Sequence, residues 1–360
     1  MIRNLEKRLL SIYYRIPIRL LQRKDGIQAV ISQTLSEEIE KNTDQYASFR
    51  FRPKKMESIY PPYRSKVDLT VIVMQGPIKV EDDFTCETVK FYKKIYPDVP
   101  VIVSTWKNEK TDAIKKLLDA GAIVVQSEPP QIPGHLMINY QIRNSLAGII
   151  KAKELGAHFV LKTRTDQRFY NVAALPFLYG LINTFPCDNS DFEKPQNKRI
   201  VCCCMEYGDM FYPYCLADFF YFGTTDELEI LFSLEEDSRC KGEYAKGKTK
   251  RFISDNMLAP EVELLRSYIR SHGGDDTCSV KQYWQFIKNH LVTINKDELG
   301  LYWPKYDSRY AEHIRNGYFY PYSSHNNMRS ANFDFMNWLC LYKGLLKYSE
   351  NYEKYCDQEV

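Results

Sequence analysis

The stretch His158-Phe-Val-Leu-Lys-Thr-Arg-Thr-Asp-Gln-Arg168 runs as an apolar segment of strand length and then breaks into charged and polar residues. Side chains alternate across a strand, so Lys162, Arg164 and Asp166 share one face wherever the extended conformation persists. In open α/β sheets the ligand crevice lies beyond the carboxyl ends of the strands, and a parallel sheet would place this cluster there. An acid in that position can hold a hard divalent cation while the neighbouring Arg and Lys take phosphate oxygens, the combination that a nucleoside diphosphate requires. The same residues can also close the strand as a structural ion pair.

Outward from this stretch the pattern is regular. Asp68 to Met74 reads as a buried strand that stops at Gln75-Gly76-Pro77, and Phe84 to Tyr96 has helical spacing. Val99 to Thr105 is a second strand, Thr111 to Ala120 a helix ended by Gly121, and Ala122 to Gln126 a third strand. Ile138 to Leu155 is a long helix stopped by Gly156, just before the organising strand. Strands alternating with helices predict right-handed crossovers and an α/β fold, a mainly parallel sheet flanked by helices. Three loops then share one edge: Gln75-Gly76-Pro77, Ser104-Thr105-Trp106 and Thr165-Asp166-Gln167-Arg168. Gly76 permits close backbone approach to a phosphate or ribose, or simply makes a turn. With neither GxGxxG nor GxxxxGK[ST], the sequence argues against a dinucleotide enzyme or a P-loop NTPase.

The chain has 360 residues, enough for one large or two closely packed domains, and a net charge of +3 that implies no nucleic-acid partner. Ten Cys lack zinc-like spacing, so reduced thiols in a cytoplasmic protein are expected, with Cys202-Cys203-Cys204 on a core strand. Residues 1–24 mix Arg and Lys with Leu, Ile and Tyr and are interrupted by Pro17. They do not suit a membrane span, but they suit either an amphipathic segment at an anionic surface or a helix packed on its own domain. A helix near Ile27 to Lys41 and a linker complete a segment reaching residue 66.

In the second half, Phe219 to Phe222 reads as a core strand with Asp218 at its start, either a ligand for sugar hydroxyls or a strand-edge acid. Leu258 to Arg270 reads as a helix with Pro260 in its first turn. Glu261 beside it either complements the helix dipole or acts as a catalytic base. Asn139 and Arg143 lie one helical turn apart and face one side, toward a ligand or toward solvent. Beyond residue 301 the sequence is rich in aromatics that either stack on sugars or pack a core, and residues 331–350 read as a closing helix.

Four segments taken in order, Ile72-Val-Met-Gln-Gly-Pro-Ile78, Val101-Ile-Val-Ser-Thr-Trp106, Asn139-Tyr-Gln-Ile-Arg143 with Ala147-Gly148, and Leu161-Lys-Thr-Arg-Thr-Asp166, resemble the WavE family of bacterial lipopolysaccharide and surface-polysaccharide synthesis proteins. The resemblance implies a GT-A-like (Rossmann-like) glycosyltransferase with helical additions at both ends. It implies a catalytic domain over 67–300, divided into a nucleotide-sugar half (67–170) and an acceptor half (171–300), followed by a C-terminal extension over 301–360. It further implies a nucleotide-sugar donor and a glycan or glycolipid acceptor, with a divalent metal, Mn or Mg, held on the donor by Asp166. The expected donor side comprises Gln75, Gly76, Pro77, Thr105, Trp106, Asn139, Arg143, Lys162, Arg164 and Arg168, and the expected catalytic residues are Asp218 and Glu261. The place of action expected is the cytoplasmic face of the inner membrane, with peripheral contact through the N-terminus. Arg168 stands where a second acid belongs, so Arg164 and Arg168 are alternative neutralisers of the diphosphate. A nucleotidyl- or phosphotransferase acting on a sugar, and a catalytically silent scaffold, are the competing functions.

Overall fold

The computed structural model describes Tyr13 and residues 27–42, 69–204, 210–239, 247–304 and 331–359. The chain divides into two compact units, 1–54 and 55–360. The first contains helix α1 (Ile27–Asn42), where the sequence places it, with Gln33 donating to Glu37 and Lys41 paired with Glu38 along its surface. Apart from Tyr13, the basic segment 1–24 lies outside the described residues, and so does the membrane contact expected of it. Among the described residues no helix is long and apolar enough to cross a membrane.

The strands of the second unit are β1 (Thr70–Gln75), β2 (Val101–Trp106), β3 (Ile123–Ser127), β4 (Phe159–Arg164), β5 (Arg168–Phe169), β6 (Ile200–Cys203), β7 (Ala217–Thr224), β8 (Leu291–Ile294) and β9 (Leu301–Tyr302). Seven of them form one sheet in the order β3-β2-β1-β4-β7-β6-β8, and β5 pairs with β9 in a separate ribbon. Every pairing in the large sheet is parallel except those of β7, which runs against both β4 and β6. This is the mainly parallel sheet flanked by helices that the sequence pattern predicts. The runs Val71-Ile-Val-Met74 and Val101-Ile-Val103 are buried on both faces, as central parallel strands require.

The helices of this unit are α2 (Phe84–Ile95), α3 (Thr111–Asp119), α4 (Ile138–Glu154), α5 (Ala174–Thr184), α6 (Thr225–Phe232), α7 (Lys250–Asp255), α8 (Pro260–Ser271), α9 (Val280–His290), α10 (Phe335–Tyr342) and α11 (Glu353–Cys356). Helix α4 lies across β1, β2 and β3, and α6 bridges α4 and α8. Cys202, Cys203 and Cys204 are buried, with the first two on β6. The closing helix is shorter than its sequence suggests. It ends at Tyr342 because Gly344 turns the backbone into the left-handed region at φ +72°.

Arg199 fastens the second half. Its buried guanidinium donates to the carbonyls of Phe185, Pro186, Lys288 and Leu291 and lies against the rings of Trp338 and Tyr342. One side chain thereby closes the ends of α5 and α9 and seats α10.

Gly148 sets how closely α4 approaches the sheet. A Cβ there would stand 2.4 Å from Val73 Cγ1 and 3.1 Å from Ser104 Cβ, so any larger residue lifts the helix from β1 and β2. Overpacking of this kind destabilises by about 1–3 kcal/mol. Gly148→Val should therefore lower the denaturation midpoint clearly in urea and thermal melts, whereas substitution of Gly180, which has nothing within 4 Å, should not.

Candidate active site

The extended conformation of β4 stops at Arg164, and Thr165-Asp166 turns instead of continuing the strand. Thr165 anchors that turn to the first loop: its N–H donates to the Gln75 carbonyl (3.1 Å), its hydroxyl donates to the Pro77 carbonyl (2.6 Å), and its carbonyl accepts from the Thr85 hydroxyl (2.9 Å). Gly76 sits at φ +118°, and a Cβ there would be 3.2 Å from Thr165 Oγ1. The glycine thus serves the stitching of two loops. Thr105 donates to Glu109 (3.0 Å), whose carboxylate also accepts the Ile78 N–H (2.8 Å), so the second loop is bound to the first. Gln75, Gly76, Pro77 and Thr105 are thus brought to one edge beside Thr165, while Trp106 packs edge-on against Tyr140.

The turn folds Asp166 back onto Arg164. Arg164 Nε donates to Oδ1 at 2.9 Å and an Nη to Oδ2 at 3.4 Å. The same Oδ2 accepts the indole N–H of Trp303 at 2.9 Å, and the guanidinium lies over the Trp303 ring, 4.6 Å from its centroid. Trp303 is itself braced edge-on by Phe219 of β7. Both carboxylate oxygens are therefore occupied by N–H donors, with a positive charge directly on them. Among the described residues no cluster of three metal-ligating side chains occurs. This arrangement does not fit a divalent ion at Asp166, where the resemblance implies a metal ligand.

Arg168 is also placed otherwise than expected. It is buried and directed at α2: Nε donates to Thr88 Oγ1 (2.9 Å), one Nη to the Phe84 carbonyl (3.1 Å) and the other to the Tyr170 hydroxyl (3.2 Å), with the guanidinium over the Phe84 ring. The turn at Thr165-Asp166 breaks the alternation, so Arg164 and Arg168 part. Asn139 and Arg143 do share a side of α4, but it faces loops. The Asn139 amide donates to the carbonyls of Ile132 and Asp237 and accepts the Asp237 N–H. Arg143 holds Glu236 and the carbonyls of Glu128 and Pro129. Both position chain segments here, in place of the donor contact the resemblance implies.

Behind the Arg164 pair lies a second charged group. Because β7 runs backwards, its start reaches the edge where β4 ends, and Lys162 is paired in register with Tyr221. Lys162 is fully buried beneath the rings of Tyr221 and Phe232, with its ammonium 3.4 Å from the Asp218 carbonyl. Burial brings it down to about 8, against the pull of Asp218 and with Arg164 adding to the fall. Glu261 occupies the first turn of α8 after Pro260, and its carboxylate accepts its own N–H. Burial foremost, and then Asp218, push it up to about 8, against Lys162. The hydroxyl of Tyr221 is buried here without a hydrogen-bond partner. Two carboxylates, a lysine and a phenol thus converge at the carboxyl edge of the sheet, the place where α/β folds bind ligands.

The sequence reading gave Trp303, Tyr221 and Thr165 no site role of their own. Trp303 comes from a distant segment brought in by the β5–β9 pairing. Thr165 and Tyr221 were visible only as neighbours of chosen residues. A cavity of about 170 Å³ lies beside the first loop, lined among others by Lys79, Cys86, Lys110 and Lys116; Lys79 and Lys116 are paired with Glu81 and Asp83.

Among solved structures, the chain is similar to a cytidylyltransferase from Leptospira borgpetersenii serovar Hardjo-bovis, at 16% identity and TM-score 0.28 over 47% of this chain and 65% of that one, less than two thirds of its length. It is similar to glucosyl-3-phosphoglycerate synthase from Mycobacterium tuberculosis, solved with Mn2+, uridine diphosphate and glucosyl-3-phosphoglycerate (14% identity, TM-score 0.30, 61% of this chain and 88% of that one). It is also similar to a glycosyltransferase involved in glycosylation of the major capsid of PBCV-1 (14%, 0.28, 54% and 78%). Likenesses this distant transfer no activity. No curated protein matches the sequence. Residues 69–356 match the family described as WavE lipopolysaccharide synthesis, a span that takes in every strand and both charged groups above, and the chain belongs to that family.

Proposed function

We propose that this protein is a glycosyltransferase that moves a sugar from a nucleotide-sugar to an acceptor hydroxyl on a growing cell-surface glycan. The observation that carries the reading is the meeting of Glu261, Asp218 and Lys162 behind the Arg164–Asp166 pair, at the edge where β1 and β4 end. Membership of a lipopolysaccharide synthesis family supports the substrate class. Glu261 is the general base. Its burial gives it a proton affinity suited to taking a hydroxyl proton near neutral pH. As that proton moves to Glu261, the acceptor oxygen bonds to C1 of the donor sugar. The bond from C1 to the diphosphate breaks, and the electron pair leaves with the diphosphate toward Arg164. Asp218 orients sugar hydroxyls and, by its charge, keeps Glu261 basic.

Incubation with a panel of nucleotide-sugars should show one donor slowly hydrolysed to free sugar and nucleoside diphosphate. Glu261→Gln should reduce that turnover by about 10²-fold or more, the usual contribution of a positioned base. Release of inorganic pyrophosphate in place of free sugar would assign the site to nucleotidyl transfer and contradict the proposal.

The pH dependence has a definite sign. Glu261 acts in its deprotonated form, so kcat/KM should rise as pH passes upward through about 8. Lys162 lowers the proton affinity of Glu261, so Lys162→Met should move the rise to higher pH. A pH–rate profile that does not move on this substitution would remove Glu261 from the role of base.

A further inference from the structure

Where the resemblance leads one to expect a divalent cation, the structure holds a guanidinium. Asp166 accepts from Arg164 on both oxygens and from the Trp303 indole on one. The residue two places on is Arg168, turned inward to Thr88 and Phe84, so no second carboxylate comes from this segment. We infer that Arg164, fixed by Asp166 and Trp303, is the cation that neutralises the donor's diphosphate, and that donor binding needs no metal. This rests on the glycosyltransferase reading and specifies how that site grips its donor.

A guanidinium presents N–H groups in a planar fork that matches two phosphate oxygens, which makes it a strong substitute for a metal on a diphosphate. The carboxylate on one edge and the indole face beneath fix the plane of that fork before any ligand arrives. About a quarter of the Arg164 side chain remains exposed, whereas Arg168 and Lys162 are sealed, so Arg164 is the cation of β4 and its turn that a ligand meets. Lys162, buried behind it, adds positive charge whenever it is protonated, and an arriving anion favours that state. Asp166 orients Arg164, so what the guanidinium offers the diphosphate is a fixed set of N–H donors, and the added positive charge comes from Lys162 when it is protonated.

The test is calorimetric titration of the full chain with UDP, GDP, CDP, ADP and dTDP, each in excess chelator and again with Mn2+. One nucleotide is expected to bind in chelator with a Kd within about threefold of its value in Mn2+, a difference smaller than one charge-assisted hydrogen bond makes. Arg164→Met should weaken that binding by about 10–100-fold, the worth of such a bond, with Arg164→Lys between the two. Binding that appears only with Mn2+ would overturn the inference and leave the glycosyltransferase reading standing. Unchanged binding by a folded Arg164→Met protein would also overturn it. Absence of binding by any of the five under both conditions would bring down the donor site and the inference together. Should Arg164→Met fail to fold, the chelator comparison on the natural chain still decides.

Discussion

The reversed strand β7 is the constraint on which the site depends. In an all-parallel sheet the neighbour of β4 would start at the far edge, and Asp218 would lie a strand length from Arg164. The antiparallel pairing of Lys162 with Tyr221 instead brings the start of β7 to the end of β4. It sets a buried lysine beneath two aromatic rings and places Phe219 where it braces Trp303. Asp218, and Glu261 when ionised, offset only part of the desolvation of Lys162, whose proton affinity still falls. A lysine sealed this way is costly in a core, and it persists only where nearby carboxylates offset the desolvation.

Two layers of polar contacts surround this centre. The outer layer is structural: Thr165, Glu109, Asn139, Arg143 and Arg168 bind loops and helices to one another through hydrogen bonds that engage their polar groups. The inner layer, Arg164 with Asp166, Lys162, Asp218, Glu261 and Tyr221, contains the shifted proton affinities and the unpartnered phenol. Buried groups of opposite charge type within one cluster suit acid–base chemistry, since burial moves their proton affinities away from those in water.

Much of the fold was legible because apolar runs of strand length alternate with helical periodicity from Asp68 onward, and the helix start at Pro260 and stop at Gly156 carry local signals. The site was legible only in part. Asp218 and Glu261 stand near the starts of their elements and Lys162 follows the apolar run of β4, places where a charge draws notice. The departures of Arg168, Asn139 and Asp166 share one cause: a side chain's partner is fixed by tertiary contact. The turn at Thr165 reverses the facing of the residues after it, and Trp303 lies 137 positions from Asp166 along the chain. No period or local motif encodes that contact.

On the proposed function, a nucleotide-sugar's diphosphate lies at the carboxyl edge of the sheet, against Arg164. Hydrogen–deuterium exchange with a saturating nucleoside diphosphate tests this most directly. Exchange is expected to slow together in 75–78, 164–169 and 299–304, three segments distant in sequence that meet only at this edge. Slowing confined to 79–86 and 110–117, around the cavity on the other side of the first loop, with 164–169 unchanged, would contradict the account.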